Sequence, residues 1–398
     1  MKSEVKSLPT FKFGTIIIIM IITAIISGLT AGIIVYTSYN KNTGINYNNV
    51  NNDSALKQFL EVYSSITEDY YEDINKTEML EAAIDAMLKY LDDKYTSYLN
   101  SSQTSYLNES LKGEYEGIGV MIMDHNITDV FVNSPAYTAG LQVGDVIKSV
   151  NGINVDSFSS EEIVKKIQNS IGSTIKISVL RDNQEIPFEI STAKLYVPAV
   201  KSKVIDNSSI GYLRLSTFSS TVSNQTEDAL KELHNKQITG LIIDLRLNAG
   251  GYLDSAEKVS NLFLDKGKVI YSLETKNNKK VVKDNTSANT TYPIVVLIDE
   301  NTASAAEILA AAMKESYGAT LVGVKSYGKG KVQQVISLID GSMAKYTTGK
   351  WFTPNGENID KVGLKPDYVV ELEIVKDEDG KVVNIIDTQL NKAIDLLR

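Results

Sequence analysis

Asn301-Thr302-Ala303-Ser304-Ala305-Ala306-Glu307 follows an apolar run, Tyr292 to Asp299, and opens an Ala-rich segment that reaches Lys314. A short continuous apolar run, a turn and then a helical composition make the strand-turn-helix unit of an α/β domain. Working outward, Thr320 to Val324 and Val332 to Leu338 read as strands on either side of Ser326-Tyr327-Gly328-Lys329-Gly330. Asp340-Gly341 is a turn, and Val369 to Ile374 with Thr388 to Leu397 form a closing strand and helix. On the upstream side, Ile210 to Leu215 is a strand, Thr226 to Asn235 an amphipathic helix and Gly240 to Arg246 a buried strand ending in Asn248-Ala249-Gly250-Gly251. A second helix is expected from Leu253 to Leu264. The lysine-rich Lys276 to Lys283 reads as a solvated hairpin, with no nucleic-acid role.

The segment from Gly113 to about Ala193 has another texture. Gly117-Ile118-Gly119-Val120 is a glycine turn feeding a strand, Val130-Phe131-Val132 another strand, and Ser134 to Leu141 a short helix opened by Pro135. Gly144 to Gly152 is a strand closed by an Asn-Gly turn. Ser159 with Glu162 caps a helix, and Thr174 to Leu180 and Ile186 to Ile190 alternate as strands. This order resembles a PDZ domain, a small β barrel with helices. Gly117, Ile118, Gly119 and Val120 stand in the place of its carboxylate-binding loop. Successive backbone N-H groups in such a loop can hold a terminal carboxylate, while the next strand edge takes an extended peptide. His125, in a polar hairpin, is expected to be solvated.

Nearer the start, Ser54 to Tyr71 and Thr77 to Leu91 carry apolar residues at helical spacing, with Thr77 as the expected cap of the second. They read as a packed helical pair or a dimer contact. Phe13 to Tyr36 is uncharged and long enough for the roughly 20 residues a bilayer core needs. Lys2, Lys6 and Lys12 precede it, which keeps the N-terminus cytoplasmic and sends the rest outside. Leu29-Thr30-Ala31 is a poor cleavage site, so an uncleaved anchor is favoured over a signal peptide. The expected layout is a cytoplasmic N-terminus at 1–12, an anchor at 13–36, a linker at 37–52, a helical region at 53–112, a PDZ domain at 113–195, an α/β domain at 196–370 and a C-terminal strand and helix at 371–398. The fold class is therefore multidomain α+β.

Among 398 residues there is no cysteine and the net charge is −9, which disfavours a thiolate nucleophile and a nucleic-acid footprint. Ser304 admits two readings, because Ser304-Ala305-Ala306-Glu307 is a capping box while a serine on a strand-to-helix turn is also where an exposed nucleophile is found. Lys329 ends a G-x-x-x-x-G-K spacing from Gly323, but Gly330 stands where a phosphate loop needs Ser or Thr and a strand follows instead of a helix. His125 and His234 are the only histidines, and His234 falls on the polar side of its helix, so a Ser/His/Asp triad lacks a base. No His-Glu-x-x-His occurs, and neither a metal nor another cofactor is expected. A buried lysine with a lowered pKa can take a hydroxyl proton.

These residues resemble the motifs of the carboxyl-terminal processing (tail-specific) serine peptidases: an S-A-x-E helix start, a lysine 25 residues later in S-x-G-K-G and a glutamine four residues beyond. Ser304, Lys329 and Gln333 fall in place. The resemblance spans about Ser54 to Val370. It implies an α/β core of the ClpP/crotonase-like type, Ser304 as nucleophile, Lys329 as general base, Gln333 orienting the lysine, and the N-H groups of Gly250 and Ala305 as oxyanion hole. Ala249 stands where the family commonly has Pro. Substrates with free C-termini and a homodimer are further implications. The rival reading is a silent PDZ scaffold or chaperone at the outer membrane face in which Ser304 only caps its helix.

Overall fold

The protein is described by a computed structural model covering residues 53–398, apart from 132, 169–171, 173, 288–291 and 377–381. The anchor expected at 13–36 lies outside these residues; among the described ones no helix is long and apolar enough to cross a membrane. The chain divides into two compact units, 1–82 and 83–398. The first contains the helix Ser54–Asp69, capped by Asp53, and the start of the helix Lys76–Tyr90. Neither helix has a buried residue, and Phe59, Leu60, Val62 and Ile66 are exposed. The second helix starts one residue before the expected cap: Asn75 Oδ1 accepts the N-H groups of Thr77 and Glu78, because an amide oxygen at that position reaches two orphan donors that Thr77 would have to leave the helix to serve.

The second unit is mixed α/β. Its main sheet runs in the order Val200–Val204, Ile210–Leu215, Gly240–Asp244, Ile294–Ile298, Thr320–Gly323 and Tyr368–Val369. The first pair is antiparallel and the rest parallel. Gly240–Asp244 and Ile294–Ile298 are buried at every position, as strands covered on both faces must be. Leu241, Ile243, Val296 and Ile298 point to the face packed by the helices Val222–Asn235, Leu253–Ser260 and Ala305–Ala312, while Ile242, Val295 and Leu297 meet the closing helix Thr388–Leu397.

A second, antiparallel sheet is built on the long strand Met343–Phe352, which pairs with Ser97–Leu99, Val269–Thr275 and Lys331–Ser337; Lys279–Lys283 completes it. The lysine-rich stretch is thus the mostly exposed edge strand of a hairpin. Val120–Met123, Asn126–Val130, Val146–Val150, Thr174–Arg181 and Gln184–Ser191 make a third sheet around their own core of Ile118, Ile127, Ile147, Ile163 and Ile177. The strand expected at Val130 ends there, since Asn133 (φ 64°) already turns toward the helix Pro135–Ala139. His125 is tied down, its Nε2 3.0 Å from the Val155 carbonyl oxygen.

Candidate active site

The strand Ile294–Ile298 delivers the chain to Asp299, whose carboxylate accepts the N-H groups of Leu247 and Asn301. Thr302 Oγ1 donates to the Leu245 carbonyl at 2.9 Å, and the Ala303 N-H to that of Asn248 at 2.9 Å. Two turns at the same end of neighbouring parallel strands are so bound together, the place where open α/β sheets put their sites. Ser304 then takes φ 56° and ψ −119°, and the Ala306 N-H returns to the Ala303 carbonyl at 3.1 Å. That is the first central position of a type II′ turn, which favours glycine. A serine held there is strained, a condition that persists only when the surroundings impose it.

The helix Ala305–Ala312 is expected to begin at Ala303 and run to Lys314; instead the turn delays its start, and Met313–Tyr317 forms a π turn closed by Gly318. Of the two bonds of the capping box, Glu307 Oε2 accepts the Ser304 N-H at 2.8 Å, while the Ser304 hydroxyl facing the Glu307 N-H makes no full hydrogen bond. The Glu307 carboxylate, wholly buried, also accepts Ser326 Oγ at 2.6 Å and the N-H groups of Gly328 at 2.7 Å and Lys329 at 2.9 Å. Burial pushes its pKa up, against the pull of these four donors. One carboxylate thus binds the serine turn to the lysine turn.

Both glycines around Lys329 have a packing reason. A Cβ on Gly328 would stand 2.8 Å from Gly363 N and one on Gly330 2.6 Å from Asp360 N, so the loop Ile359–Gly363 lies directly against the turn. Trp351 Nε1 donates to the Lys329 carbonyl at 2.8 Å. Lys329 is half-buried with Nζ 5.2 Å from the centre of the Tyr95 ring. Burial first, then the nearby Lys345 charge, lowers its pKa from the ordinary lysine value, against Glu307 and Asp93. Lys329 and Ser304 are not hydrogen-bonded to each other in this structure. Lys329, Ala303, Ala249, Leu247, Asn301, Tyr327 and Tyr95 line one open cleft of about 450 Å³.

Gly250 lies beside the serine, for a Cβ on it would come within 2.9 Å of Ser304 Cβ and 3.0 Å of Ala305 N. Its own N-H is engaged, donating to Asn248 Oδ1 at 2.9 Å. Ala305 is the first residue of its helix, where a backbone N-H has no intrahelical acceptor. Gln333 sits on the strand Lys331–Ser337 with its Nε2 bonded to Thr347 Oγ1 at 3.3 Å. No cluster of three or more His, Asp or Glu that could hold a metal ion occurs among the described residues.

In the third sheet the Ile118 carbonyl accepts the Ala136 N-H at 2.8 Å and the Gly119 carbonyl the Phe131 N-H at 2.9 Å. Gly119 has φ 93°, and a Cβ there would meet Ser134 Cβ at 2.2 Å. Val120–Met123 is the edge strand of the sheet, and Gly117, Ile118, Gly119, Val120, Ile122, Val164 and Ile167 border a small pocket between it and the helix Ser160–Gln168.

The sequence profile of peptidase family S41 matches residues 209–370, that of the PDZ domain residues 127–181, and that of the activating protease CtpB N-terminal domain residues 29–103. A CtpA-like serine protease of Staphylococcus haemolyticus (strain JCSC1435) is 32% identical over 373 residues, covering 92% of this chain and 75% of that one. The chain belongs to peptidase family S41. The S41 enzyme is a serine-type, carboxyl-terminal processing peptidase with a PDZ domain. The carboxy-terminal processing proteases CtpA and CtpB of Bacillus subtilis (strain 168) are 36% and 35% identical, covering 80% of this chain in each case and 70% and 68% of their own lengths. The fold is also that of a solved S41 protease of Bacteroides fragilis NCTC 9343, with TM-score 0.50 and 17% identity over 82% of this chain and 98% of that one. The PDZ match begins after Gly117–Val120, so the loop is placed by the structure alone. Asp93, Tyr95, Asn248, Thr347 and Trp351 were not expected in the site. Only Asn248 carried a signal, a polar residue inside the glycine turn.

Proposed function

We propose that the chain is a membrane-anchored, extracytoplasmic serine endopeptidase that recruits protein C-terminal tails through its PDZ domain and cleaves through an acyl-enzyme on Ser304. The observation that carries this reading is the buried Glu307 carboxylate holding the N-H groups of both Ser304 and Lys329. In this reading the neutral Lys329 amine takes the hydroxyl proton as Ser304 Oγ attacks the scissile carbonyl carbon. The resulting ammonium returns the proton to the leaving amine, and water then releases the acyl group by the same route. Gln333 orients Lys329. Ala305 N-H and Gly250 N-H receive the oxyanion, the second after its bond to Asn248 opens.

Gly117, Ile118, Gly119 and Val120 hold the tail carboxylate, and the edge strand Val120–Met123 pairs with the residues before it. The uncharged stretch Phe13 to Tyr36 behind three lysines supports the anchor and the outward placement. The uncovered apolar residues Phe59, Leu60, Val62 and Ile66 support a homodimer through the helical ends. The test is a peptide with an apolar free C-terminus incubated with wild type, Ser304→Ala and Lys329→Ala. Cleavage by wild type alone, with all three folded, is expected; turnover by either variant overturns the dyad.

A further inference from the structure

Gln333 presents an amide whose two ends are not equivalent to a lysine base. Between Val332 and Gln333 the pairing of Lys331–Ser337 with Met343–Phe352 slips, Val332 facing Gly349 and Gln333 facing Thr347. The extra residue, Thr348, is a bulge, a device that re-aims side chains beside active sites. It sets Gln333 Nε2 on Thr347 Oγ1 at 3.3 Å. Thr347 in turn donates its hydroxyl hydrogen to Asp93 Oδ2.

A hydroxyl has one hydrogen and an ionised carboxylate has none, so Thr347 Oγ1 can only accept from Gln333. Asp93 is fixed as the end of this chain. Its side chain is 10% exposed, Oδ1 accepts Lys331 Nζ at 2.8 Å, and Oδ2 also accepts Thr96 Oγ1 at 2.8 Å. With Nε2 committed, Oε1 is the end of the Gln333 amide left for another partner. A neutral amine serves as base through its lone pair, so its N-H groups need an acceptor that leaves the lone pair toward the serine. Oε1 is such an acceptor, whereas a flipped amide would point its NH₂ at the lone pair.

We propose that Asp93 and Thr347 are positioning residues that fix the amide of Gln333 with its carbonyl oxygen toward Lys329, so that the lysine lone pair faces Ser304. This rests on the Ser304 and Lys329 assignment made above. The same turn places Tyr95 two residues on, its ring 5.2 Å from Lys329 Nζ and 5.9 Å from Lys331 Nζ, so a segment outside the S41-matched residues reaches the base directly.

The test compares Thr347→Val, which keeps the shape and loses the relay, with Thr347→Ser, which keeps the hydroxyl, and with Asp93→Asn, by kcat, KM and the pH profile of kcat/KM on one peptide. Thr347→Val is expected to lose about 10- to 100-fold in kcat with little change in KM, the scale of a misplaced catalytic group, and Thr347→Ser to recover most of it. A freed amide offering NH₂ to the lysine favours the neutral amine, so the acid limb in Thr347→Val should move to lower pH; in Asp93→Asn the lost charge lowers the lysine pKa by itself, so that variant is read by kcat alone. A merely structural role would instead let water reach Lys329 and move that limb to higher pH. Unchanged kcat in Thr347→Val, an equal loss in Thr347→Ser or a limb moving upward each overturns the relay. Should Asp93→Asn unfold, the two Thr347 variants decide alone. If Ser304→Ala or Lys329→Ala retains turnover the dyad itself fails; if both are dead and Thr347→Val is normal, only the relay fails.

Discussion

Ser304 carries a cost that its helix alone does not require. A Cβ at φ 56° and ψ −119° is strained, on the order of 1–3 kcal/mol, and glycine escapes that penalty. Ser304→Gly should therefore melt above Ser304→Ala although neither cleaves substrate; equal or reversed melting temperatures in calorimetry would show the turn to be relaxed. Lys329 makes a second prediction. Its pKa lies below the ordinary lysine value, chiefly through burial, so the folded state binds the proton less tightly than the unfolded chain. Stability should rise with pH through the window between the lowered value and about 10.4, the ordinary one. Lys329→Met loses this dependence, so its advantage in denaturant midpoint over wild type should be largest at low pH and shrink as pH climbs through that window. A constant difference would refute it. With Lys329 as the proposed base, kcat/KM should also rise with pH until Lys329 is neutral.

At the scale of elements, the serine turn, the lysine turn and the strand after it were legible because each lies within one short stretch with its own signal. The buried strands showed as continuous apolar runs. The strand Met343–Phe352 did not, for Lys345-Tyr346-Thr347-Thr348-Gly349-Lys350 has neither apolar alternation nor an apolar run; it is strand because three neighbours pair with it. Asp93 reached the site unseen for a related reason: its partner Thr347 is 254 residues away, and no local pattern reports such a contact. The join between elements is Glu307. A glutamine there keeps the shape but turns an NH₂ toward at least one of the four donors, leaving a buried donor unmet at about 1–3 kcal/mol. Glu307→Gln should lower the denaturant midpoint and slow cleavage together. Loss of activity with an unchanged midpoint would mean that the carboxylate acts in the chemistry instead of holding the two turns.

On the scale of the whole molecule, the PDZ domain and the peptidase domain belong to one unit; the strand pair Glu114–Gly117 with Ala193–Tyr196 ties the start of the PDZ domain to its end, and the Lys201–Asp129 ion pair links that domain to the peptidase domain. That pair is exposed and contributes little to holding the domains. In the proposed function the tail is held at one place and the chain cut at another, so recognition and cleavage should separate kinetically. Replacing a substrate's free C-terminal carboxylate by an amide removes the group that the Gly117–Val120 loop would hold while leaving the scissile bond unchanged. KM should rise about tenfold, the effect of losing roughly 1.4 kcal/mol of binding, with kcat nearly constant. Gly119→Ala should reproduce the KM effect with the free tail, since its Cβ would overlap Ser134 and displace the loop. In that variant amidation should then change little further. If amidation instead lowers kcat at saturating substrate, an occupied tail site is acting on the catalytic turns; if it changes neither constant, the loop does not read tails.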